Sequence, residues 1–498
     1  MSQTIISSAP YTEVFVKKAP ISTNDTISSD LDTASPQSSE GYCSDHSDCD
    51  SWGPNVFKES GGTEHFFQTL ADSGISLREM PAGFDTTELM RELTRDSATE
   101  HATYIVNLTT VMGKLGEWRR NLPRVKPYYA IKCNNDVAIC RLMAQSGCGF
   151  DCASKDEIKQ CLAMGVEPQN LIYANPCKQA NMLRFAREVE VRKMTADNIE
   201  ELYKIRDIFP EARVVLRIAV DDSKSVCRFN SKFGAPPAEW DALLSTAKEL
   251  DLNIAGFSFH VGSGCSEIKP FADAVASARD AFDLAASYGF NPTILDIGGG
   301  WPGTDDGNFT FLQVSTIVSE SLDHHFPESM GVEIIGEPGR YMCCASHTYA
   351  VMVVAKRQLA QSQLTACAEI ESFGARPTKD SEISADNFKK AEKSDNDPEV
   401  ALYINDGVYG SFNCVVFDHA HVHPKVLNHR AGARTVATKL FGPTCDSIDV
   451  VMPCTRLPEM KVGDWLIFHD MGAYTRCAAS RFNGQGAHDV HHVWAGMP

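Results

Sequence analysis

The stretch PYYAIKC, Pro127 to Cys133, is apolar or aromatic for five positions and then runs into Lys132. A short apolar run of this kind reads as a buried strand. A lysine at its inner end loses hydration, which presses the amine pKa down toward a usable nucleophile. Amines in that state form imines with aldehydes. Taken alone, such a residue is more often a strand-end lysine whose stem is buried while its ammonium reaches water. The pattern on either side of it has to decide.

Seven further strand candidates follow: CGFDCAS, NLIYANP, VRKMT, RVVLRIAV, IAGFSFHV, TILDIGGG and VEIIGEPG. Between them lie DEIKQCLAMG, NIEELYKIRDIF, PAEWDALLSTAKELD and PFADAVASARDAFDLAASYG, each with apolar residues at helical i, i+3, i+4 spacing. Eight strands alternating with helices over roughly 220 residues predict an α/β (β/α)8 TIM-like barrel, with a doubly wound open sheet as the alternative. Upstream, HFFQTLADSGISL reads as a short helix, ATYIVNL as a strand and TTVMGKLGEWRRNL as an amphipathic helix. Downstream of Arg340, YMCCASHTYAVMVVAKRQ and ALYINDGVYGSFNCVVFD read as strands, and the remainder as strand and turn.

The expected organisation is a disordered acidic, Ser-rich tail over 1–60 and a segment over 61–108 that contributes to a β domain. The barrel takes 109–345, and a C-terminal β-rich domain takes 346–498, with an exposed loop insertion at about 374–399. Between Ile21 and Ser51 there are seven carboxylates and no Lys or Arg, too little apolar surface to offset ordering entropy.

A net charge of −19 argues against a nucleic-acid partner and suits a cationic small substrate or simple solubility. No apolar run approaches the twenty residues of a membrane span, and the N-terminus lacks the basic start and apolar core of a secretory signal, so a cytoplasmic protein is expected. The seventeen cysteines show no small-domain spacing and read as reduced thiols; the sequons at Asn107 and Asn308 are then coincidental.

In a barrel of this type chemistry sits where the strands end. The residues there are Lys132, Asp151, Arg217, His260, the run Gly298, Gly299, Gly300, then Glu337 and Arg340. The glycine run GGGWPG leaves backbone N–H groups free for an anion such as a phosphate, or is simply a tight turn. Arg340 adds a fixed positive charge to that anion, unless it is an ordinary loop arginine. Glu337, a carboxylate at the inner end of an apolar strand, needs a positive partner, and a protonated pyridine nitrogen is one. His260 can lie flat against such a ring or be a hydrogen-bonded core histidine. Asp151 can accept from the imine or its lysine, or cap the helix beginning near Lys155. Together these residues can hold the parts of a pyridoxal phosphate. In the second half, Asp418 precedes His419, His421 and His423, which lack the further ligands a metal site needs, so no metal is expected. Cys445 with Asp446 and Asp449 suits a pair of carboxylates that bind a distant substrate ammonium beside a thiol that transfers a proton.

The motifs PYYAIKCN, GFDCASKDEI, SFHVGSGC, LDIGGGWPG, EPGRY, NDGVYGSFNC, FDHAHV, GPTCDSID and MGAYT occur in this order between Ala102 and Gly496. With them the sequence resembles the eukaryotic ornithine decarboxylases, in the fold-type III family of pyridoxal-phosphate enzymes that also includes alanine racemase and diaminopimelate decarboxylase. The resemblance implies decarboxylation of L-ornithine to putrescine, the first step of polyamine biosynthesis, by a homodimer with active sites shared across its interface. It implies that Lys132 forms the imine, Glu337 pairs with the pyridine nitrogen and His260 stacks on the ring. It puts Ser263, Gly298, Gly299, Gly300, Arg340 and Tyr474 on the phosphate, Asp151 beside the imine and Arg217 behind the cofactor. Asp418 of one subunit and Asp446 of the other are similar to the pair that binds the substrate's terminal ammonium, and Cys445 to the thiol that protonates Cα. Phe482 and Tyr409 match pocket and interface aromatics, and Lys232 with Asp449 resembles an interdomain or intersubunit salt bridge. Antizyme, an inhibitor of many eukaryotic members, would meet a surface of roughly residues 178–213. Phe417 stands where many relatives carry tyrosine.

Two other readings stay open: a decarboxylase for lysine or another basic amino acid, since one methylene shifts preference by only about 1–3 kcal/mol, and a catalytically dead homologue that sequesters antizyme.

Overall fold

Two strands, β1 (Leu77–Met80) and β2 (Ala102–Asn107), come before the barrel in sequence but lie outside it. The barrel strands are β3 (Val125–Ala130), β4 (Gly149–Cys152), β5 (Leu171–Tyr173), β6 (Lys193–Ala196) and β7 (Arg213–Arg217). After β8 (Ser225–Cys227) come β9 (Asn253–Ser258), β10 (Ser263–Cys265), β11 (Ile294–Asp296) and β12 (Glu333–Gly336). In this computed structural model, which describes residues 62–95, 100–305, 307, 309–359, 398–428 and 430–496, the order β3-β4-β5-β6-β7-β9-β11-β12 closes into a parallel barrel. Closure runs through β12 and β3, with Ile334 opposite Val125 and Gly336 opposite Pro127. All eight strand candidates of the sequence are present, and the open sheet is excluded. The 1–60 tail, Asn308 and the 374–399 insertion up to residue 397 lie outside the described residues.

These strands are buried on both faces, which is why they read as continuous apolar runs rather than as alternation. Inside the barrel Tyr128, Ile172, Val215, Ala255, Ile294 and Ile335 pack as one buried cluster. The outer faces meet helices whose starts are set by side-chain caps: Ser154 for Lys155–Ala163, Asn198 for Ile199–Ile208 and a Thr310–Gln313 capping box for Phe311–His325.

Past the barrel the chain runs through β13 (His347–Gln358), β14 (Val400–Ile404), β15 (Lys425–Val426), β16 (Thr435–Phe441), β17 (Val450–Pro458), β18 (Trp465–Phe468) and β19 (His488–Ala495). They form a second sheet in the order β1-β19-β2-β13-β14-β16-β17, with β18 on β13 and β15 on β18. Two expected strands are corrected: the start of YMCCASHTYAVMVVAKRQ is helical over Arg340–Cys343 and Cys344–Ser346, and only the part from His347 is extended. In ALYINDGVYGSFNCVVFD only β14 is extended, and Asn413–Phe417 is a short helix. An apolar run as short as NCVVF is compatible with either state. Here Asn413 Nδ2 donates to the Gly410 and Thr475 carbonyls, each at 2.6 Å, and winds the chain. Among the described residues no helix is long and apolar enough to cross a membrane.

Candidate active site

The C-terminal ends of the barrel strands open into a cavity of about 450 Å³, lined in part by Lys132, Arg217, His260, Ser263, Glu337, Asp418 and Tyr474. An adjoining recess is lined by Gly299, Gly300, Ser263, Arg340 and Tyr474, with Lys132 and Glu337 at the boundary of both. Lys132 follows β3 in a 3-10 turn, Ile131–Cys133, and its side chain is 39% exposed, all within reach of this space. Its amine donates to Asp151 Oδ2, while Asp151 Oδ1 has no partner and the residue is fully buried. Asp151 does not cap the helix at Lys155, since the Ser154 hydroxyl does so.

The depressed lysine pKa expected from burial is not what the structure holds. Burial does press the Lys132 ammonium down, but the carboxylates of Asp151 and Glu337 outweigh it and raise the amine above its ordinary value. Glu337 is pushed well up, by burial first and then by Asp151 and Asp296. Asp296, on β11 behind it, is raised to about 6, mainly by burial; its Oδ1 accepts from the Gly298 N–H at 2.9 Å and its Oδ2 has no donor. Three buried carboxylates therefore face one ammonium and the Arg217 guanidinium. Arg217 lies 5.4 Å from the Phe233 ring, and burial lowers its own affinity for its proton.

His260 is held neutral, chiefly by burial and then by Arg217 and Lys132. The Gly262 N–H donates to its Nδ1 at 3.0 Å, so the ring proton sits on Nε2, and Phe229 meets the ring edge-on at 4.8 Å. Gly298 adopts φ 61°, and a Cβ there would stand 2.0 Å from the Phe259 carbonyl oxygen. A Cβ on Gly299 would stand 2.7 Å from His260 Nε2, so the turn has no room for side chains.

Arg340 donates to Ser263 Oγ at 2.8 Å and also to both oxygens of Asp418, at 2.6 and 2.8 Å. The resemblance puts Arg340 and Asp418 at opposite ends of the ligand, and the structure pairs them with each other. Tyr474 stacks under Arg340, 5.0 Å from the guanidinium to the ring, and its backbone is left-handed at φ 53°, a strained conformation for a residue with a Cβ.

Cys445, Asp446 and Phe482 do not line this cavity. They form a separate group in which the Tyr409 hydroxyl donates to Asp446 Oδ2 at 2.5 Å, Phe482 stacks on Tyr409 at 4.5 Å and the Cys445 N–H donates to Asn483 Oδ1 at 2.9 Å. Phe482 is 43% exposed. Asp449 is buried, accepting from the Val408 N–H of another turn at 2.8 Å and from the Thr444 hydroxyl of its own loop at 2.7 Å. It makes no interdomain pair with Lys232, whose ammonium lies over Phe233 instead. His421 and His423 line a different cavity with Lys425 and His469. In the span expected to meet antizyme, Lys178 is buried against Glu201 at 2.9 Å, leaving residues such as Arg184 and Arg187 to form its exposed surface.

Sequence reasoning missed Asp296, Phe229, Phe233 and Cys227. Asp296 was readable as the buried polar residue of LDIGGG, but the glycines drew the reading.

The donor set fits a pyridoxal phosphate on the structure's own terms. An amine on the cavity wall is held by a carboxylate whose second oxygen has no partner, a buried carboxylate waits for a cationic partner, and a side-chain-free turn lies beside Ser263 and Arg340.

Known proteins agree. A family model described as the pyridoxal binding domain of pyridoxal-dependent decarboxylases matches residues 108–344, and one for their C-terminal sheet domain matches 341–472. The chain is 42% identical over 430 residues to antizyme inhibitor 2 of Xenopus laevis, covering 85% of this chain and 88% of that one. It is 42% identical over 393 residues to ornithine decarboxylase of Rattus norvegicus, covering 79% and 80%. Among solved structures, the Paramecium bursaria Chlorella virus arginine decarboxylase bound to agmatine superposes with a TM-score of 0.71 at 32% identity, covering 82% of this chain and all of that one. By its two domains, its strand-end amine and these relatives, the chain belongs to the pyridoxal-dependent decarboxylases and takes pyridoxal phosphate as its cofactor.

Proposed function

We propose that this chain decarboxylates L-ornithine to putrescine. The observation that carries the reading is the Lys132 amine set against Asp151 and Glu337 in a cavity whose wall also carries an acidic residue, Asp418. The relative named ornithine decarboxylase in Rattus norvegicus, at 42% identity, and the one named probable ornithine decarboxylase in Dictyostelium discoideum, at 44%, support ornithine as the substrate.

Bound pyridoxal phosphate supplies an electron sink for the carbanion that loss of carbon dioxide leaves. The chain's own residues do the rest. Lys132 anchors the cofactor aldehyde. Glu337 keeps the pyridine nitrogen protonated, which is the positive partner its burial demands. Neutral His260, fixed by the Gly262 N–H, offers a flat face that brings no extra charge to the ring. Ser263, Arg340, Tyr474 and the Gly298–Gly300 turn hold the phosphate.

Asp418 binds the distal ammonium of the substrate together with Asp446 of a second subunit, and Cys445 of that subunit returns a proton to Cα. The position of Cys445, Asp446 and Phe482 outside the cavity of their own chain supports a homodimer with shared sites. In this reading the barrel unit is 109–345 and the sheet unit is 61–108 with 346–498.

The test is kcat/KM for ornithine, lysine and arginine, with and without added pyridoxal phosphate. Ornithine should lead; preference for lysine or arginine overturns the choice. A second reading, an antizyme-binding protein without turnover, is favoured by the likeness to antizyme inhibitor 2. It requires that the purified protein lack a visible absorbance band that borohydride abolishes.

A further inference from the structure

Behind the cofactor cavity lies a second, separate one of about 300 Å³, lined by Asn134, Asp136, Arg476, His488 and His492 among others, none of which lines the first. It sits where two segments of the proposed site meet. One is the turn that carries Lys132. The other is the loop that carries Tyr474. The Tyr474 N–H donates to the Cys133 carbonyl at 3.0 Å, and Asn134 Nδ2 donates to the Gly472 carbonyl at 2.7 Å.

Four residues after Lys132, Asp136 caps the helix Val137–Gln145 by accepting from the Ala138 N–H at 3.0 Å. The same carboxylate accepts from Arg476 Nη1 at 3.0 Å, two residues after Tyr474, and meets His492 Nε2 at 3.0 Å. Arg476 Nε in turn donates to His488 Nε2 at 3.1 Å. Asp136 is only 6% exposed at its side chain and Arg476 26%. Removing both charges from water offsets much of their attraction, so a pair placed here is better explained by geometry than by stability. The geometry that needs holding is the left-handed backbone of Tyr474, which persists only if its surroundings over-determine it.

We propose that Asp136 and Arg476 are positioning residues: their ion pair clamps the strained Tyr474 loop to the Lys132 turn and thereby sets the affinity for pyridoxal phosphate. The proposal rests on the reading of Lys132 and Tyr474 as cofactor ligands.

The experiment uses the full chain, stripped of cofactor and titrated with pyridoxal phosphate, with the thermal midpoint of the stripped protein read alongside. Asp136→Asn keeps the oxygen that caps the helix but loses the charge, and Arg476→Met keeps the stem but loses the guanidinium. Each should raise the cofactor dissociation constant about tenfold or more, the double variant should be no worse than about the weaker single, and Arg476→Lys should recover most of the affinity. Dissociation constants within about twofold of wild type in both singles, or a double variant equal to the product of the singles, overturn the clamp. So does a lowered thermal midpoint with unchanged affinity. If either single variant does not fold, the other and Arg476→Lys decide by the same affinity criterion. Failure of the underlying site reading looks different: Lys132→Ala would then bind the cofactor as tightly as wild type.

Discussion

Arg340 and Asp418 are counter-ions, joined by two hydrogen bonds of 2.6 and 2.8 Å across a sequence separation of 78 residues. One is proposed to hold the phosphate and the other the distal ammonium of the substrate, so the two ends of the site share an electrostatic link. Asp418→Ala should raise KM for ornithine and lower kcat/KM by roughly a hundredfold, the scale of a lost buried charge pair. It should leave cofactor affinity equal or tighter, because Arg340 loses a competitor. Weaker cofactor binding with unchanged KM would reverse the assignment.

Lys132→Ala should lower kcat by at least about a thousandfold and abolish the borohydride-sensitive absorbance, while far-UV circular dichroism keeps its wild-type shape. Turnover near wild type would mean that another amine anchors the cofactor.

Lys132→Ala and Cys445→Ala are each expected to form little putrescine, the second while still releasing some carbon dioxide, yet a mixture that exchanges subunits should regain up to about a quarter of wild-type putrescine formation, one intact composite site in two in half of the dimers. No recovery, with exchange demonstrated by differently tagged subunits, would rule out the shared site.

Burial lowers the His347 imidazole to about 3, where it packs beside Asn134 and the Ser346 hydroxyl. A folded-state pKa below the unfolded value of about 6.5 means that stability is full above that value and is lost as pH falls from about 6.5 toward 3. The loss from this group is on the order of 4–5 kcal/mol at the bottom of the window. In acid titrations followed by fluorescence, His347→Gln should flatten this part of the stability profile; an unchanged slope would show that other groups govern acid unfolding.

At the opposite end of the barrel, Lys193 is buried, its ammonium donating to the Tyr128 hydroxyl, and burial lowers it to about 8. Its charged form is therefore penalised in the folded state, and the penalty is relieved as pH rises from about 8 to its ordinary value of about 10.4. Lys193→Met should stabilise the protein at pH 7 by about 2 kcal/mol in urea unfolding, with the advantage shrinking above pH 8. A destabilised variant at pH 7 would show that the ammonium's contacts to Tyr128 and Glu333 outweigh its burial.

The barrel was readable because strands buried on both faces leave unbroken apolar runs, and because closure forces their ends together. Lys132, Asp151, His260 and Glu337 could thus be gathered before any contact was known. What did not show was anything decided by side chains meeting across loops. The Arg340–Asp418 pair and the left-handed Tyr474 are examples. The direction of the Lys132 shift escapes a reading of the sequence for the same reason: one strand reveals burial, while the opposing carboxylates arrive from elsewhere, Asp151 on β4 and Glu337 just past β12. NCVVF is too short to carry a period, and within one chain Asp449 is held by the Val408 N–H and the Thr444 hydroxyl rather than by Lys232.

Strand β2 lies between β13 and β19, so its neighbours in the sheet are residues made long after it. At about 5–20 residues per second, a ribosome needs about 20–80 s to travel from Asn107 to Ala495. Throughout that interval the nascent Ala102–Asn107 segment, apolar over most of its length, has one partner or none. Chaperone capture during translation should therefore concentrate on this early segment, and a chain stopped short of His488 should leave it open to aggregation even though its barrel is complete.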